Sequence, residues 1–416
     1  MKLPKMAPIR QRFEGPALTD IEGEVSAQLD RAGIALAVWP GMRIALTAGS
    51  RGIANIALIL KATADKLKSL GAEPFIIPAM GSHGGATAEG QVKVLASLGV
   101  TEAYCEVPIL SSMEVVQIGE TERGIPVYID RHASEGDGII VIGRVKVHTD
   151  FKSPIGIESG IMKMAAIGLG KHKQALALHD YGIRGIRDYM PEVSRVVFAK
   201  ANILCGIGIV ENAYEQTAKI EAVPTPQIEE RERELLKLSA SLMPKLPVQQ
   251  LDVLHVDRIG KSYSGTGMDT NIIGRMRILG EQEPKTPAIR YIVAGDLSEE
   301  TQGNALGIGL ADLTTKRLFD KIDFHKTNEN VITSTFLHRA MIPIVVASDL
   351  EAMKTALRCS WGVVPEQARV IRIANTLHIE HMYVSEALLP EIVELEHVEV
   401  TGELEEMKFD ERGVFI

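Results

Sequence analysis

Lysine and histidine side chains are concentrated between residues 144 and 181, in a segment otherwise rich in glycine and apolar residues. Its candidate reactive residues are His148, Lys152, Lys163, Lys171, His172, Lys173 and His179. An imidazole exchanges protons near pH 7, and a deprotonated lysine amine can form a covalent bond. An apolar run at 138–143 leads into the segment, and loops after buried strands often carry sites. The alternative interpretation is a solvated basic connection between a strand and a helix.

Two further candidates follow earlier strand patterns. Arg51 lies in SRGIAN, where a guanidinium flanked by small residues could bind a carboxylate or phosphate. His83 lies in GSHGG, where small neighbours leave room for a ligand beside the ring. A surface arginine and a turn histidine are the alternatives. The GLGK sequence that ends at Lys171 is followed by His172 rather than Ser or Thr, so no nucleoside triphosphatase motif is present.

These candidates need a scaffold, and the sequence predicts one of repeated strand–helix units. Apolar strands at 42–47 and 74–78 each lead through a glycine-containing loop into a helix, at 53–70 and 87–98. Such repeats favour a mainly parallel sheet, whose ligands lie at the carboxyl ends of the strands. Both loops are therefore expected at the same crevice.

The 416-residue chain is long enough for two domains. A charged run at 228–243, bracketed by prolines, predicts one exposed helix and a boundary just after it. We assign residues 1–245 to a first α/β domain and residues 246–416 to a second, both with mainly parallel sheets. Within them we also predict a helix from 183 that ends at Pro191, and another at 304–320.

Composition narrows the classes of partner. The net charge of −9 argues against nucleic acid, because phosphate binding needs a basic surface. Three widely spaced cysteines suggest neither a disulfide framework nor a metal knuckle. The first residues lack the apolar core of a signal peptide, and no apolar run reaches about 20 residues. We therefore expect a cytoplasmic protein that does not span a membrane.

Several of these loops, taken in order, resemble those of the nickel-dependent lactate racemase family, the 2-hydroxy acid racemases and epimerases. SRGIAN is similar to the family's TRP loop, GSHGGAT to its GTHRPMT-type loop, and GIESGIMK to its small-residue run ending in lysine. The spacing from Lys163 to His179 equals that between the family's cofactor lysine and metal histidine. GTGMDTNIIGR resembles a segment of the family's second domain, with Asp269 and Asn271 matching.

The resemblance implies two α/β domains with an active site in the cleft between them. It implies a nickel-pincer nucleotide, a pyridinium mononucleotide with two sulfur arms, joined covalently to Lys163, with His179 as metal ligand. His83 and His148 would be the catalytic bases for the two enantiomers of a 2-hydroxy acid. Ser50 and Arg51 would bind substrate or cofactor, and the second domain would close over the site. Cofactor-maturation proteins would be the expected partners.

The sequence also departs from the family pattern. Ala48 and Gly49 replace the acidic residue before the TRP-type loop, and the longer segment after His148 adds Asp150 and Lys152. In the second domain, Gly274 and Arg277 replace the family's glutamine and lysine that approach the substrate. These changes favour a larger or more polar 2-hydroxy acid than lactate. Two alternatives remain: a non-catalytic protein that binds a small anion or nucleotide, and a metal-free isomerase that relies on Lys163.

Overall fold

The structure, a computed structural model, describes residues 1–50 and 52–416. Its strands are β1 Lys5–Gln11, β2 Arg43–Ala48, β3 Glu73–Pro78, β4 Val115–Glu120, β5 Pro126–Asp130, β6 Gly138–Arg144, β7 Ile203–Glu211, β8 Thr217–Pro224, β9 Gln250–Ile259, β10 Ala288–Leu297, β11 Leu313–Thr315, β12 Ile344–Val346, β13 Val370–Ile373, β14 His381–Ser385, β15 Val398–Val400 and β16 Glu405–Glu406. Its α-helices are α1 Ile21–Arg31, α2 Ile34–Ala37, α3 Ile56–Ser69, α4 Ala88–Ser97, α5 Glu102–Cys105, α6 Arg131–Ser134, α7 Ile161–Lys163, α8 Lys171–His179, α9 Met190–Lys200, α10 Ile228–Leu242, α11 Thr270–Ile273, α12 Lys316–Phe319, α13 Phe324–Ser334, α14 Asp349–Cys359 and α15 Leu389–Ile392.

The chain divides into two compact units, and the first comprises Glu14–Met243. Its main sheet has the order β3-β2-β6-β7-β8, in which the first four strands are parallel and β8 is antiparallel. Strands β2, β3 and β6 are apolar and almost wholly buried, as expected where helices cover both faces. The β4–β5 hairpin forms a separate two-stranded sheet.

Side chains of alternate residues in the central strands pack in two hydrophobic cores, one on each face of this sheet. On one face, Ile44 and Ile140 pack in a cluster with residues of α1 and α3. On the other, Ala45 and Ile139 pack in a cluster with residues of α7 and α9. The strand period of two explains this division, because successive side chains point to opposite faces.

The second unit comprises Met1–Phe13 and Pro244–Ile416. Its sheet has the order β12-β11-β10-β9-β13-β14-β1-β15, and β16 pairs with the other end of β1. Strands β9 to β13 are parallel along this order, whereas β14, β1, β15 and β16 pair antiparallel. The sequence analysis placed residues 1–13 in the first domain, but in the structure β1 lies in the sheet of the second unit.

The α/β fold class with mostly parallel sheets is confirmed. The helix predicted at 304–320 is wrong, because this stretch holds a 3₁₀ turn at Ile308–Leu310 followed by β11 and α12. The helix expected to end at Pro191 instead begins at Met190, with the proline in its first turn, where no backbone N–H is needed. Helix α10 exists but is not simply exposed, since Glu232 and Leu235 are buried. No helix among the described residues is long and apolar enough to cross a membrane.

Candidate active site

Three of the predicted site residues follow neighbouring parallel strands. Ser50 follows β2, His83 follows β3 and His148 follows β6, and these strands are adjacent in the sheet. Ala48 at the end of β2 pairs with Pro78 at the end of β3. The three loops therefore leave the same edge of the sheet. Arg51, assigned to bind substrate or cofactor, lies outside the described residues.

The first cluster joins Ser50 to His83. The Ser50 hydroxyl forms a short hydrogen bond with Nδ1 of His83, and either partner can be the donor. His83 is exposed, and its loop is held by hydrogen bonds from the buried side chain of Gln91. The amide of Gln91 donates to the carbonyls of Gly81 and His83 over 3.1 and 3.2 Å. Backbone contacts of a neutral side chain thus fix the position of this loop.

The Ser50 loop is fastened by the side chain of Glu211, at the end of β7. The backbone N–H of Ala54 donates to its Oε1 over 2.7 Å, and Arg144 forms an ion pair with its Oε2 over 2.5 Å. Asn55 also donates to the hydroxyl of Thr217 over 3.0 Å. These contacts tie the loop after β2 to the neighbouring strands.

The second cluster is built around His148, whose side chain is only 11% exposed. The buried carboxylate of Glu158 accepts the backbone N–H of His148 over 2.7 Å and that of Ser153 over 3.1 Å. The imidazole stacks on Phe151, with ring centroids 4.4 Å apart. The longer segment after His148 is thus an ordered loop closed on a buried carboxylate.

The amine of Lys163 lies 2.8 Å from Nε2 of His148. On the other side of the ring, the backbone N–H of Asp150 donates to Nδ1 over 3.0 Å, and the Asp150 carboxylate lies 3.7 Å from Nδ1. Because Nδ1 accepts the backbone N–H, a neutral ring carries its proton on Nε2 and directs it at the lysine nitrogen. That arrangement requires a lone pair on the amine, as in a neutral lysine.

Lys163 ends α7, which continues into a π-helical turn at Met164–Gly168. This turn packs against both loops of the first cluster: a Cβ on Gly49 would lie 3.0 Å from the Met164 methyl, and one on Gly81 would lie 3.1 Å from Ile167. The two glycines therefore allow the lysine-bearing turn to approach the Ser50 and His83 loops closely.

The N-terminus of α7 receives the fully buried carboxyl of Glu232, from α10. The backbone N–H of Met162 donates to its Oε2 over 2.8 Å. Burial raises the pKa of Glu232 to about 7, although backbone N–H groups of Met162 and Ile161 favour its ionised form. A Cβ on Gly160 would lie 2.6 Å from this carboxyl group, which explains the glycine before Ile161.

His179 lies at the end of α8, two helical segments after Lys163. Burial lowers its pKa, and Lys163 lowers it further when its amine is protonated, while Asp150 and Asp180 oppose the shift. A neutral imidazole is the form that binds a metal. At the start of α8, Lys171 is wholly buried and lies 2.8 Å from the carboxylate of Asp130, so it joins α8 to the end of β5.

Arg277 belongs to the second unit, where its side chain is engaged. It forms an ion pair with Asp312 over 2.8 Å and donates to the carbonyl of Gly309 over 2.6 Å. Asp269, matched to the family segment, caps α11 by accepting the backbone N–H of Asn271 over 2.9 Å. Both residues therefore have structural partners within their own unit.

Sequence reasoning missed the residues that support the histidines and lysine: Glu158, Glu232, Gln91 and Glu211. Glu158 could have been noticed as a single acidic residue in the otherwise small and apolar run GIESG. Glu232 shares a helical stripe with Ile228 and Leu235, a spacing that places it on the buried face.

The comparisons with known proteins agree with this architecture. Residues 42–184 match the family model of the lactate racemase N-terminal domain. The fold is similar to that of the lactate racemase apoprotein from Thermoanaerobacterium thermosaccharolyticum, with a TM-score of 0.52 and 14% sequence identity over 88% of this chain and 94% of that one. No curated protein sequence matches the chain. The resemblance to the lactate racemase family is thereby confirmed for residues 42–184, and the structural similarity shows that the fold is shared.

Proposed function

We propose that this protein is a racemase or epimerase that inverts the 2-carbon of a 2-hydroxy acid with the help of a nickel-pincer nucleotide. The observation that carries the proposal is the contact of the Lys163 amine with His148, inside the segment that matches the lactate racemase domain. Neither a bare phosphate-binding loop nor a simple anion pocket needs a lysine amine opposite an imidazole.

The residues fit this cofactor by their chemistry. Lys163 faces a ring nitrogen that favours its neutral, nucleophilic form, which a covalent link requires. His179, whose pKa is lowered by burial, supplies a neutral imidazole, and sulfur with imidazole suits Ni(II). When bound, the cofactor would accept the hydride of the substrate α-carbon and return it to either face.

The chain's own contribution would be proton transfer at the substrate hydroxyl. The two enantiomers present this hydroxyl in different directions, so two bases are needed, and His83 and His148 follow separate strands. A base that acts through Nε2 must carry its other proton on Nδ1. Ser50 can accept that proton from His83. On His148, Nδ1 instead accepts the backbone N–H of Asp150, so this ring would act as a base through Nε2 only after a change of tautomer, with the Asp150 carboxylate 3.7 Å away as the acceptor of the Nδ1 proton.

The link at Lys163 would also change the role of His148. Before attachment, Nε2 of His148 is occupied by the lysine amine. An amine nitrogen that is engaged in a covalent amide-type link no longer acts as a base, so Nε2 would become available to the substrate. We propose that Arg51 and Ser50 contribute to substrate or cofactor binding at the same loop.

We further propose a substrate larger or more polar than lactate. The ordered loop between His148 and Glu158 brings Lys152 to 3.9 Å from the Glu158 carboxylate, which adds a cation to this segment. Arg277 could bind a second polar group only by leaving Asp312. A panel of short aliphatic, dicarboxylic and sugar-derived 2-hydroxy acids tests this assignment, and turnover of the short aliphatic acids alone would contradict it.

The proposal is tested by intact mass and metal analysis of protein purified from its native host or co-expressed with cofactor-building enzymes. We expect an adduct of mononucleotide size on Lys163 and about one nickel per chain. An unmodified, nickel-free chain under these conditions would contradict the proposal and favour the binding protein or the metal-free isomerase.

A further inference from the structure

Lys163 projects from an unusually short support. Helix α7 spans only Ile161–Lys163 before the π-helical turn at Met164–Gly168 begins. A single turn has little stability of its own, because the first helical hydrogen bonds are costly to form. Tertiary contacts must therefore determine where the Lys163 main chain lies.

Two buried side chains from distant helices contact the residue directly before Lys163. The Glu232 carboxyl of α10 accepts the N–H of Met162 over 2.8 Å. The Ser194 hydroxyl of α9 lies 2.8 Å from the carbonyl of Met162 and 2.9 Å from that of Met190, and its single proton is shared between these two acceptors. Both side chains are fully buried. Both the N–H and the carbonyl of Met162 are thus hydrogen-bonded by buried side chains. We call Glu232 and Ser194 the Met162 clamp.

Burying a carboxyl group without a cation is costly. Among the described residues, the charged side chain that shifts the pKa of Glu232 is another carboxylate, Glu229 on the same helix, which raises it. A structural helix cap could be supplied by a neutral Ser or Thr at the position before α7. That position is Gly160, where a Cβ would collide with the Glu232 carboxyl. Instead of a side chain at position 160, the Glu232 side chain caps the N-terminus of α7, and this contact also joins α7 to α10.

We infer that Glu232 and Ser194 are positioning residues that hold the Lys163 main chain so that its amine meets His148 and the incoming cofactor. This inference rests on the proposed function, because it concerns the covalent attachment at Lys163. It assigns the two residues no contact with the substrate. Their effect reaches the amine through the peptide that joins Met162 to Lys163.

The clamp is tested with Ser194→Ala, Glu232→Ala and Glu232→Gln in the full chain. Ser360→Ala is the matched control: Ser194 and Ser360 are both buried and both donate to the carbonyl four residues earlier, but only Ser194 also reaches Met162. Hydrogen–deuterium exchange of the peptide covering 160–164 reports the clamp without cofactor. Intact mass after co-expression with cofactor-building enzymes reports attachment at Lys163.

In Ser194→Ala and Glu232→Ala, we expect the amide hydrogens of this peptide to exchange roughly fivefold to thirtyfold faster than in the wild type. Adduct occupancy at Lys163 should fall by a similar factor. Glu232→Gln keeps an acceptor oxygen and should restore most of the occupancy, and Ser360→Ala should match the wild type. Full occupancy in Ser194→Ala and Glu232→Ala despite faster exchange would overturn the inference, as would an equal loss in Ser360→Ala. Absence of the adduct from the wild type would instead refute the proposed function, and the clamp's role with it.

Discussion

The loops that carry His83 and His148 leave the same sheet edge but are supported in opposite ways. The His83 loop is exposed and is fastened by Gln91, a neutral amide that donates to two carbonyls. The His148 side chain is mostly buried, and its segment is held by a buried carboxylate, Glu158, which accepts two backbone N–H groups. A second buried carboxyl group, that of Glu232, accepts the N–H of Met162, next to Lys163. Two bases with equivalent proposed roles thus depend on supports of different charge, so mutations and pH should affect them unequally.

The largest effects are expected from His83→Ala and His148→Ala. Each should lower racemisation by about 10² to 10⁴-fold, because a positioned base is lost. We expect only His148→Ala to lower adduct occupancy at Lys163 as well, because the His148 ring lies 2.8 Å from the amine. Chiral analysis of the products and intact mass measure the two effects.

The exposed His381, in the other unit, supplies the control for both histidine variants. His381→Ala should retain wild-type racemisation and adduct occupancy. Near-wild-type racemisation in either active-site variant would contradict the two-base assignment, and equal adduct loss in both would remove the proposed asymmetry.

The next largest effect concerns Glu232 and pH. Its pKa is raised from 4.5 to about 7, so the folded state binds a proton that the unfolded state has released, and this contribution to stability is full below 4.5 and lost as the pH rises through 7. Glu232→Gln does not titrate. The free energy of unfolding of this variant, relative to that of the wild type, should therefore increase by about 3 kcal/mol between acidic and mildly alkaline pH.

Denaturant unfolding at several pH values measures this difference, and Glu234→Gln on the same helix is its control. Glu234 is half exposed and pairs with Lys237, so its replacement should produce no such increase. A stability difference for Glu232→Gln that is independent of pH would show that the carboxyl is not buried as described.

A smaller difference in racemisation is expected between variants of Glu158 and Gln91, the residues that hold the two loops. Glu158→Ala leaves the partly buried N–H groups of His148 and Ser153 without their carboxylate acceptor, at a cost of up to about 1–3 kcal/mol for each group left unpaired. Gln91→Ala removes two neutral hydrogen bonds to the carbonyls of Gly81 and His83, which are weaker than the charge-assisted bonds that Glu158 accepts. Racemisation should therefore fall further in Glu158→Ala, and the reverse order in steady-state rates would contradict the comparison.

The smallest effect is expected from Ser50→Ala, which removes the partner of His83 Nδ1. One neutral hydrogen bond is worth about 0.5–1.5 kcal/mol, so racemisation should fall by less than about tenfold. Thermal unfolding should be nearly unchanged, because the pair is not in the core. A loss as large as that of His83→Ala would mean that Ser50 itself contacts the substrate.

The strands and loops of the first unit were readable from sequence because their signals are local. Apolar runs of strand length followed by glycine-containing loops placed Ser50, His83 and His148 at strand ends, where the structure has them. The predicted helix at 304–320 is wrong because this stretch contains Gly307 and Gly309. Gly307 adopts a φ of +98°, and a Cβ there would collide with the carbonyl of Thr266, so the chain turns instead of continuing as helix.

The supports of the site were harder to predict because their partners are remote. Four glutamates lie in the first half of α10, and charge alone does not indicate which of them faces inward. Only the spacing of Glu232 with Ile228 and Leu235 marks it as buried, and only the fold brings it to Met162. The roles proposed for Lys163, His179 and Arg51 come from resemblance and remain predictions.

The position of β1 has a consequence for how the chain is made. This strand is translated well before β14, β15 and β16, with which it pairs. Arg10 and Glu380, which form an ion pair, are 370 residues apart in sequence. At about 5 to 20 residues per second, the strand waits roughly 20 to 75 s for these partners. The contiguous unit at 14–243 can fold during that interval. Pro8 and the charges of Lys5 and Arg10 then serve the nascent chain, because they discourage the waiting strand from pairing with other chains.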